Sequence, residues 1–289
     1  MMSIEIPAYS TDAFFGLGDR WLHTADGELT HYHELGSGTP VLFLHGSGTG
    51  VTAAANWWLN LPEFSRRARC IAIDSIGYGQ TVVAPGTKYG IREWVEHTLR
   101  VLDALGIEKT WLVGNSIGGW VAFQFAIDHP ERLLGVVSMG TGGAKLTQAL
   151  SGHARPELSE AGIRRTLEQF VVDKNLITDE LVILRYRAAL NDSASDRLRE
   201  VITARDRDRD ALPLDFDALS RLEIPVLLIH GMQDVVIPVS RTYELLDTIP
   251  TADAHLFNRC GHWSQVERAA DFNTVVSQYL EAHGVLSER

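Results

Sequence analysis

Cysteine is nearly missing from this chain: Cys70 and Cys260 are the only two among 289 residues. Two thiols make no disulfide framework, so both read as small, reduced, apolar side chains. Long apolar runs are missing as well. None approaches the ~20 residues needed to cross a bilayer, and the opening Met-Met-Ser-Ile-Glu-Ile-Pro lacks the basic start and apolar segment of a signal peptide. A cytoplasmic protein is the expectation. Positive charge is scarce, with 26 Lys and Arg against 37 Asp and Glu and a formal net charge of −11. The acids are scattered, and that balance repels nucleic acid and anionic membrane surfaces, so neither is expected as a partner. An anionic small molecule would need local positive groups inside a pocket. Repeats and low-complexity tracts are absent too. What remains, 45% hydrophobic and 22% charged, is ordinary globular composition. The length suits one α/β domain carrying an insertion.

Short apolar runs at 41–44, 70–73, 110–113, 134–138 and 225–229 are bounded by turn residues. Runs of this kind read as strands buried on both faces of a mostly parallel sheet. Between them lie helical periods. Ile91, Trp94, Val95, Thr98, Leu99, Leu102 and Leu105 fall on one stripe closed by Gly106, and residues 120–129 form a second helix ahead of Pro130. Alternation implies right-handed βαβ crossovers in a doubly wound sheet. Upstream, Asp26-Gly27 between the strand-like runs 20–24 and 29–33 signals an antiparallel hairpin at the sheet edge.

From about Gly143 to Leu212 the strand-like runs stop and charge-rich helical sequence takes over, at 157–172, 178–190 and 195–207. The expected organisation is a core built from 1–143 and 213–289 and a helical lid, 144–212. The lid would sit over the carboxyl ends of the strands, where open α/β sheets bind ligands. Inside it, Asp206-Arg-Asp-Arg-Asp210 lacks the sixth-position glycine of a calcium loop, and arginines interrupt the acids. It reads as a solvated, self-neutralised lid face, and no metal is expected.

The chemistry centres on Gly114-Asn115-Ser116-Ile117-Gly118-Gly119. A Gly-x-Ser-x-Gly string alone is weak. A strand before it and a helix after it make it a nucleophile elbow, in which a sharp turn exposes the serine oxygen. The partners of such a serine follow in the order Asp, then His. Asp234 lies on the loop after the run 225–229, and His262 lies on the loop after the run 254–257, ahead of a final helix over 264–283. Alone, Asp234 reads equally as a loop carboxylate and His262 as a surface histidine; their joint order favours a triad. His129 and His97 sit on helices, and His31, His33 and His255 sit in strand-like runs, so they compete poorly. The oxyanion hole needs backbone N–H donors: Ile117 after the nucleophile, and Ser47 in the glycine-rich loop His45-Gly-Ser-Gly-Thr-Gly50. His45 reads as a structural pin for that loop.

The stretches His45-Gly-Ser-Gly-Thr-Gly-Val-Thr-Ala-Ala-Ala-Asn-Trp57, Gly114-Asn-Ser-Ile-Gly-Gly119 and Cys260-Gly-His-Trp-Ser-Gln265 resemble the meta-cleavage-product hydrolases, of the α/β-hydrolase superfamily. The likeness runs over most of the chain. Asp74-Ser-Ile-Gly-Tyr-Gly-Gln-Thr81 and 94–106 look most like the 2-hydroxymuconate-semialdehyde hydrolases. The resemblance implies an α/β-hydrolase fold, with a mostly parallel eight-stranded sheet and a helical lid inserted after the sixth strand. It implies a serine-dependent hydrolase that cleaves the carbon–carbon bond of a 2-hydroxy-6-oxohexa-2,4-dienoate-type ring-fission product, without a cofactor, and commonly as a homo-oligomer. In that setting Asn115 and Arg185 would bind the dienoate end, Trp263 would pack over it, and Gly46 and Gly48 would line it. Two departures stand out. Thr49 replaces a usual proline, and the bulky Trp120 would narrow one side of the pocket. A carboxylesterase or lactonase with the same triad, and a non-enzymatic receptor on the same scaffold, are the rival readings. A dehalogenase or epoxide hydrolase would carry Asp where Ser116 stands.

Overall fold

A computed structural model describes residues 16–143, 158–193 and 197–285. The expectations for the first residues of the chain, for 144–157 and for a helix start at 195 lie outside the described residues. Eight strands form one sheet: β1 (Arg20–Ala25), β2 (Glu28–Leu35), β3 (Pro40–Leu44), β4 (Arg69–Ile73), β5 (Thr110–Asn115), β6 (Leu133–Met139), β7 (Val226–Gly231) and β8 (Ala252–Phe257). Their spatial order is β1-β2-β4-β3-β5-β6-β7-β8. The hairpin β1–β2 is antiparallel and pairs antiparallel with β4; every pair from β4 to β8 is parallel.

The helices are α1 (Ala53–Trp57), α2 (Leu61–Phe64), α3 (Ile91–Ala104), α4 (Ile117–Asp128), α5 (Glu160–Glu168), α6 (Asp179–Ser193), α7 (Arg197–Ala211), α8 (Phe216–Leu219), α9 (Ser240–Thr248), α10 (Ser264–Glu267) and α11 (Ala269–Ala282). Side chains alternate across the sheet as strand geometry demands. Leu42 and Leu44 join Trp94, Leu102 and Phe123 of α3 and α4 on one face. Val41 and Phe43 join Trp57, Phe64, Phe272 and Val276 on the other. Burial on both faces explains why these strands read as continuous apolar runs.

Several boundaries differ from the sequence expectation; the two later helices of the insertion run on to Ser193 and Ala211. Helix α4 begins at Ile117, because Gly118 and Gly119 belong to its first turn. The final helix is broken at Arg268 (φ −122°, ψ 39°), whose guanidinium is held by Asn258 O and Asp271. Helix α5 ends at Glu168, and the chain then turns so that Phe170 O can accept from Trp263 N at 2.9 Å.

The helices between β6 and β7 share a small apolar cluster of their own, in which Ile163, Leu167, Leu181 and Val182 meet Trp263 and Val266 of the core. The acid–arginine strip on α7 is the self-neutralised, partly solvated face expected from its sequence at every position but one. Arg205–Asp206 and Arg207–Asp208 do pair. Asp208, however, is 2% exposed and accepts from Ile91 N at 2.7 Å. It caps α3, because Gly90 ahead of that helix has no side chain to do so. The periodicity of α7 does not reveal this, since the acceptor and its helix are more than a hundred residues apart.

Beneath the loop that follows β3 lies a buried charge relay. His31 Nδ1 donates to Asp74 Oδ2 at 2.8 Å and its Nε2 donates to Asp19 Oδ1 at 3.1 Å. Asp74 also accepts from Ala53 N (2.6 Å) and Gln80 N (2.9 Å), which fixes the start of α1. Burial alone would lower the His31 pKa, but Asp74 and Asp19 override it and raise it from 6.5 to about 9. Burial likewise works against the Asp74 carboxylate, and the His31 imidazolium overrides it, bringing it from 3.8 down to about 2. Stabilisation from His31 is therefore complete below its unfolded value and is lost as pH rises through about 9; that from Asp74 is lost as pH falls through about 2. Thermal unfolding followed by circular dichroism should show stability on the order of 3 kcal/mol being lost as His31 deprotonates. A His31→Asn variant should be less stable near pH 6 and should lack that alkaline slope; an unchanged slope would assign it to other groups.

Candidate active site

Ser116 joins β5 to α4 with φ 56° and ψ −114°, a backbone region that a serine enters only under constraint. Strain of this kind costs on the order of 1–3 kcal/mol and persists where neighbours over-determine it. Here Ser116 N donates to Met139 O at 2.9 Å, and Ser116 O accepts from Gly142 N at 3.0 Å and Trp120 N at 3.1 Å. The flanking glycines follow from the crowding. A β-carbon at Gly114 would sit 2.3 Å from Gly118 O, and one at Gly118 would sit 2.3 Å from Leu44 O. Ile117 is the first residue of α4, so its N–H is among those that helix geometry leaves without an intrahelical acceptor.

Asp234 and His262 meet at the carboxyl edge of the sheet, on the loops after β7 and β8. His262 Nδ1 donates to Asp234 Oδ2 at 2.7 Å, and Asp234 Oδ1 accepts from Val236 N (2.7 Å) and Ile237 N (2.9 Å). A second imidazole approaches from below, with His230 Nε2 at 3.1 Å from Asp234 Oδ2 and 2.9 Å from Ile237 O. Burial disfavours the charged carboxyl, yet the charge of His262 and the hydrogen bonds from both rings override it, holding Asp234 well below the usual carboxylate range. With that carboxylate accepting at Nδ1, the His262 Nε2 is left as the basic nitrogen.

Ser116 and His262 line one narrow cleft together with Gly46, Ser47, Asn56, Asn115, Phe170, Arg185 and Trp263. Arg185 of α6 is 1% exposed; its Nη2 donates to Thr49 O at 3.1 Å and its Cζ lies 5.6 Å from the centre of the Trp263 ring. The unusual Thr49 thus serves through its carbonyl. Asn115 faces Gly46, whose added β-carbon would lie 3.0 Å from Asn115 Oδ1. Both amide atoms of Asn115, and both of Asn56, are buried with no hydrogen-bond partner among the described residues. Gly48 stands behind the cleft, where a β-carbon would lie 3.4 Å from Arg185 Nη2. Ser47 Oγ accepts from Arg205 Nη1 of α7 at 3.3 Å.

His45 has the structural role expected of it: Nδ1 donates to Gly46 O at 2.6 Å, Nε2 accepts from Ser75 N at 3.1 Å, and burial lowers its pKa. Trp120 does not narrow the cleft. It is 2% exposed in the core and sits against Gly143, because the first turn of α4 aims it away from the serine. Four neighbours escaped the sequence reading: Asn56, Phe170, His230 and Arg205. Only His230 carried a signal, four residues before Asp234 at the end of a strand. Asp19, His31 and His33 also bring ligand-type atoms within 4.8 Å of one another. Those atoms are occupied by Asp74, Asp19 and Gly18.

This fold and site define a class. The chain belongs to the alpha/beta hydrolase fold family, whose profile matches residues 39–269. Within it, the chain is 40% identical to a 2-hydroxymuconate semialdehyde hydrolase of Pseudomonas sp. (strain CF600), over 89% of this chain and 92% of that protein. It is 38% identical to a 2-hydroxy-6-oxo-2,4-heptadienoate hydrolase of Pseudomonas putida F1, over 89% and 95%. Among solved structures, a mutant of the meta-cleavage product hydrolase CumD from Pseudomonas fluorescens IP01 superposes with a TM-score of 0.83 at 37% identity, covering 92% of this chain and 98% of that one. Among the described residues no helix is long and apolar enough to cross a membrane.

The elbow makes one prediction independent of chemistry. Gly118→Ala should exceed the ~1–3 kcal/mol of ordinary overpacking, because Leu44 O cannot yield without breaking the sheet. Soluble yield and urea unfolding would show it, and a variant of wild-type stability would refute the crowding.

Proposed function

We propose that the chain is a serine hydrolase that cleaves the carbon–carbon bond of a 2-hydroxy-6-oxohexa-2,4-dienoate-type ring-fission product of aromatic degradation. The carrying observation is that one cleft is lined by Ser116 and His262 together with a buried arginine and two buried amides that have no hydrogen-bond partner among the described residues. A planar guanidinium with amide donors matches a carboxylate and its adjacent oxygen. A simple ester has no need of those groups. The names of the relatives support the same substrate class.

In this reading the helices between β6 and β7, taken as 144–212, act as a lid over the core of 1–143 and 213–289. The dienoate carboxylate binds Arg185, Asn115 and Asn56, Gly46 and Gly48 let the chain approach closely, and Trp263 packs over the diene. Ketonisation of the dienol places a carbonyl where it accepts the electrons of the C5–C6 bond. His262 takes the Ser116 proton as the oxygen attacks C6, and Asp234 holds the imidazole in its productive tautomer. The N–H groups of Ile117 and Ser47 carry the oxyanion. The C5–C6 pair leaves as a dienolate, whose C2 oxygen takes the proton that His262 removed from Ser116, giving 2-hydroxypenta-2,4-dienoate and a neutral imidazole. Water activated by His262 then releases the acyl group from Ser116 as a carboxylic acid.

Ser116→Ala should fold normally and lose at least ~10³-fold in turnover of a yellow dienoate, read as loss of visible absorbance. Arg185→Gln should raise KM for the dienoate by about ten- to a hundredfold, the worth of a charged hydrogen bond, while p-nitrophenyl acetate hydrolysis changes little. Equal losses on both substrates would point to an esterase instead.

A further inference from the structure

Glu267 lies outside the triad and the cleft, yet three backbone N–H groups converge on its carboxylate. Oε1 accepts from Val172 N and Asp173 N, each at 2.7 Å, and Oε2 accepts from Gly261 N at 2.7 Å. Gly261 immediately precedes His262. Val172 and Asp173 follow Phe170, whose ring lies 5.6 Å from that of His262 and 5.2 Å from that of Trp263. A fourth bond, Trp263 N to Phe170 O at 2.9 Å, runs parallel. One carboxylate therefore ties the loop of the histidine to the helical insertion that roofs the cleft. Gly261 is pressed against the same segment, since a β-carbon there would sit 2.6 Å from Phe170 O.

We infer that Glu267 is a positioning residue, one that sets the His262 loop and the Phe170 roof in a single register. This rests on the reading of His262 as the base for Ser116. A carboxylate suits the role because each oxygen accepts from a different side: Oε1 from the insertion and Oε2 from the histidine loop. Charge-assisted bonds to backbone N–H groups are shorter and stronger than neutral ones. They hold main chain rather than rotatable side chains, so the imidazole has little freedom to drift. Glutamine has nearly the same shape but one acceptor only; its amide N–H₂ would face a backbone N–H on one side. That side must open.

The test uses the whole enzyme, with dienoate turnover and the rate at which a fluorophosphonate labels Ser116. Glu267→Gln should lower kcat and the labelling rate together by about ten- to a hundredfold, the effect of an ångström-scale misplacement. KM should move less, and the measurement is made well below the unfolding temperature. Glu267→Asp, which keeps two acceptors on a shorter arm, should recover part of both rates. Should the Gln variant not fold, the Asp variant decides by its own labelling rate against wild type. A folded variant with a lowered Tm but wild-type labelling and kcat would reduce Glu267 to a structural brace and overturn the proposal. His262→Ala labelled at the wild-type rate would instead remove the triad reading, and that outcome shows in the histidine variant alone.

Discussion

A serine backbone held at φ 56° between β5 and α4 is the constraint around which the remaining geometry is arranged. It persists because β6 accepts its N–H, Gly142 and Trp120 donate to its carbonyl, and Leu44 O leaves no room for a side chain at Gly118. Three strands and one helix thus converge on a single residue. That convergence sets the hydroxyl at the carboxyl edge of the sheet, where the loops after β3, β7 and β8 also end. The cleft is the space these loops leave above the turn, closed over by Phe170 and Arg185 of the helical insertion.

Buried charge is handled in a consistent way. Asp234 and Asp74 each sit at or below 1% side-chain or residue exposure, and each accepts two backbone N–H groups and at least one imidazole proton. Neither is left to be compensated by water. An isolated buried ion costs several kcal/mol, so such carboxylates exist only where main-chain donors are already in place. Arg185 is the complementary case, a buried cation steadied by a carbonyl and an aromatic face. An acidic protein thereby keeps a positive end inside a pocket while its surface stays negative.

Most of the fold was legible because buried parallel strands and amphipathic helices write themselves as apolar runs and stripes. The elbow and the order Ser116, Asp234, His262 were legible because strained turns demand particular residues at fixed offsets. Asn56 was not, since nothing in Ala-Ala-Ala-Asn-Trp separates a buried amide facing a cleft from a polar residue at a helix end. His230 hid inside a strand whose burial on both faces tolerates any ring that finds partners. Trp120 misled for the opposite reason: its size suggested an obstruction, while helix phase decided its direction. The end of α5 depends on a contact between Phe170 and Trp263, about ninety residues apart, and the break at Arg268 on a bond back to Asn258 O in the preceding loop; neither is written in a helical period.

Asp208 gives the helical insertion an unequal attachment. Its carboxylate completes the first turn of α3, and Arg207 of the same strip reaches Tyr89 O, so α7 is anchored to the core by hydrogen bonds. Evolutionary remodelling of specificity would accordingly fall on α5 and α6, where substitutions alter the roof without uncapping a helix beneath it. Transplanting the insertion between relatives would succeed only if the recipient's third helix were already capped by a residue of its own.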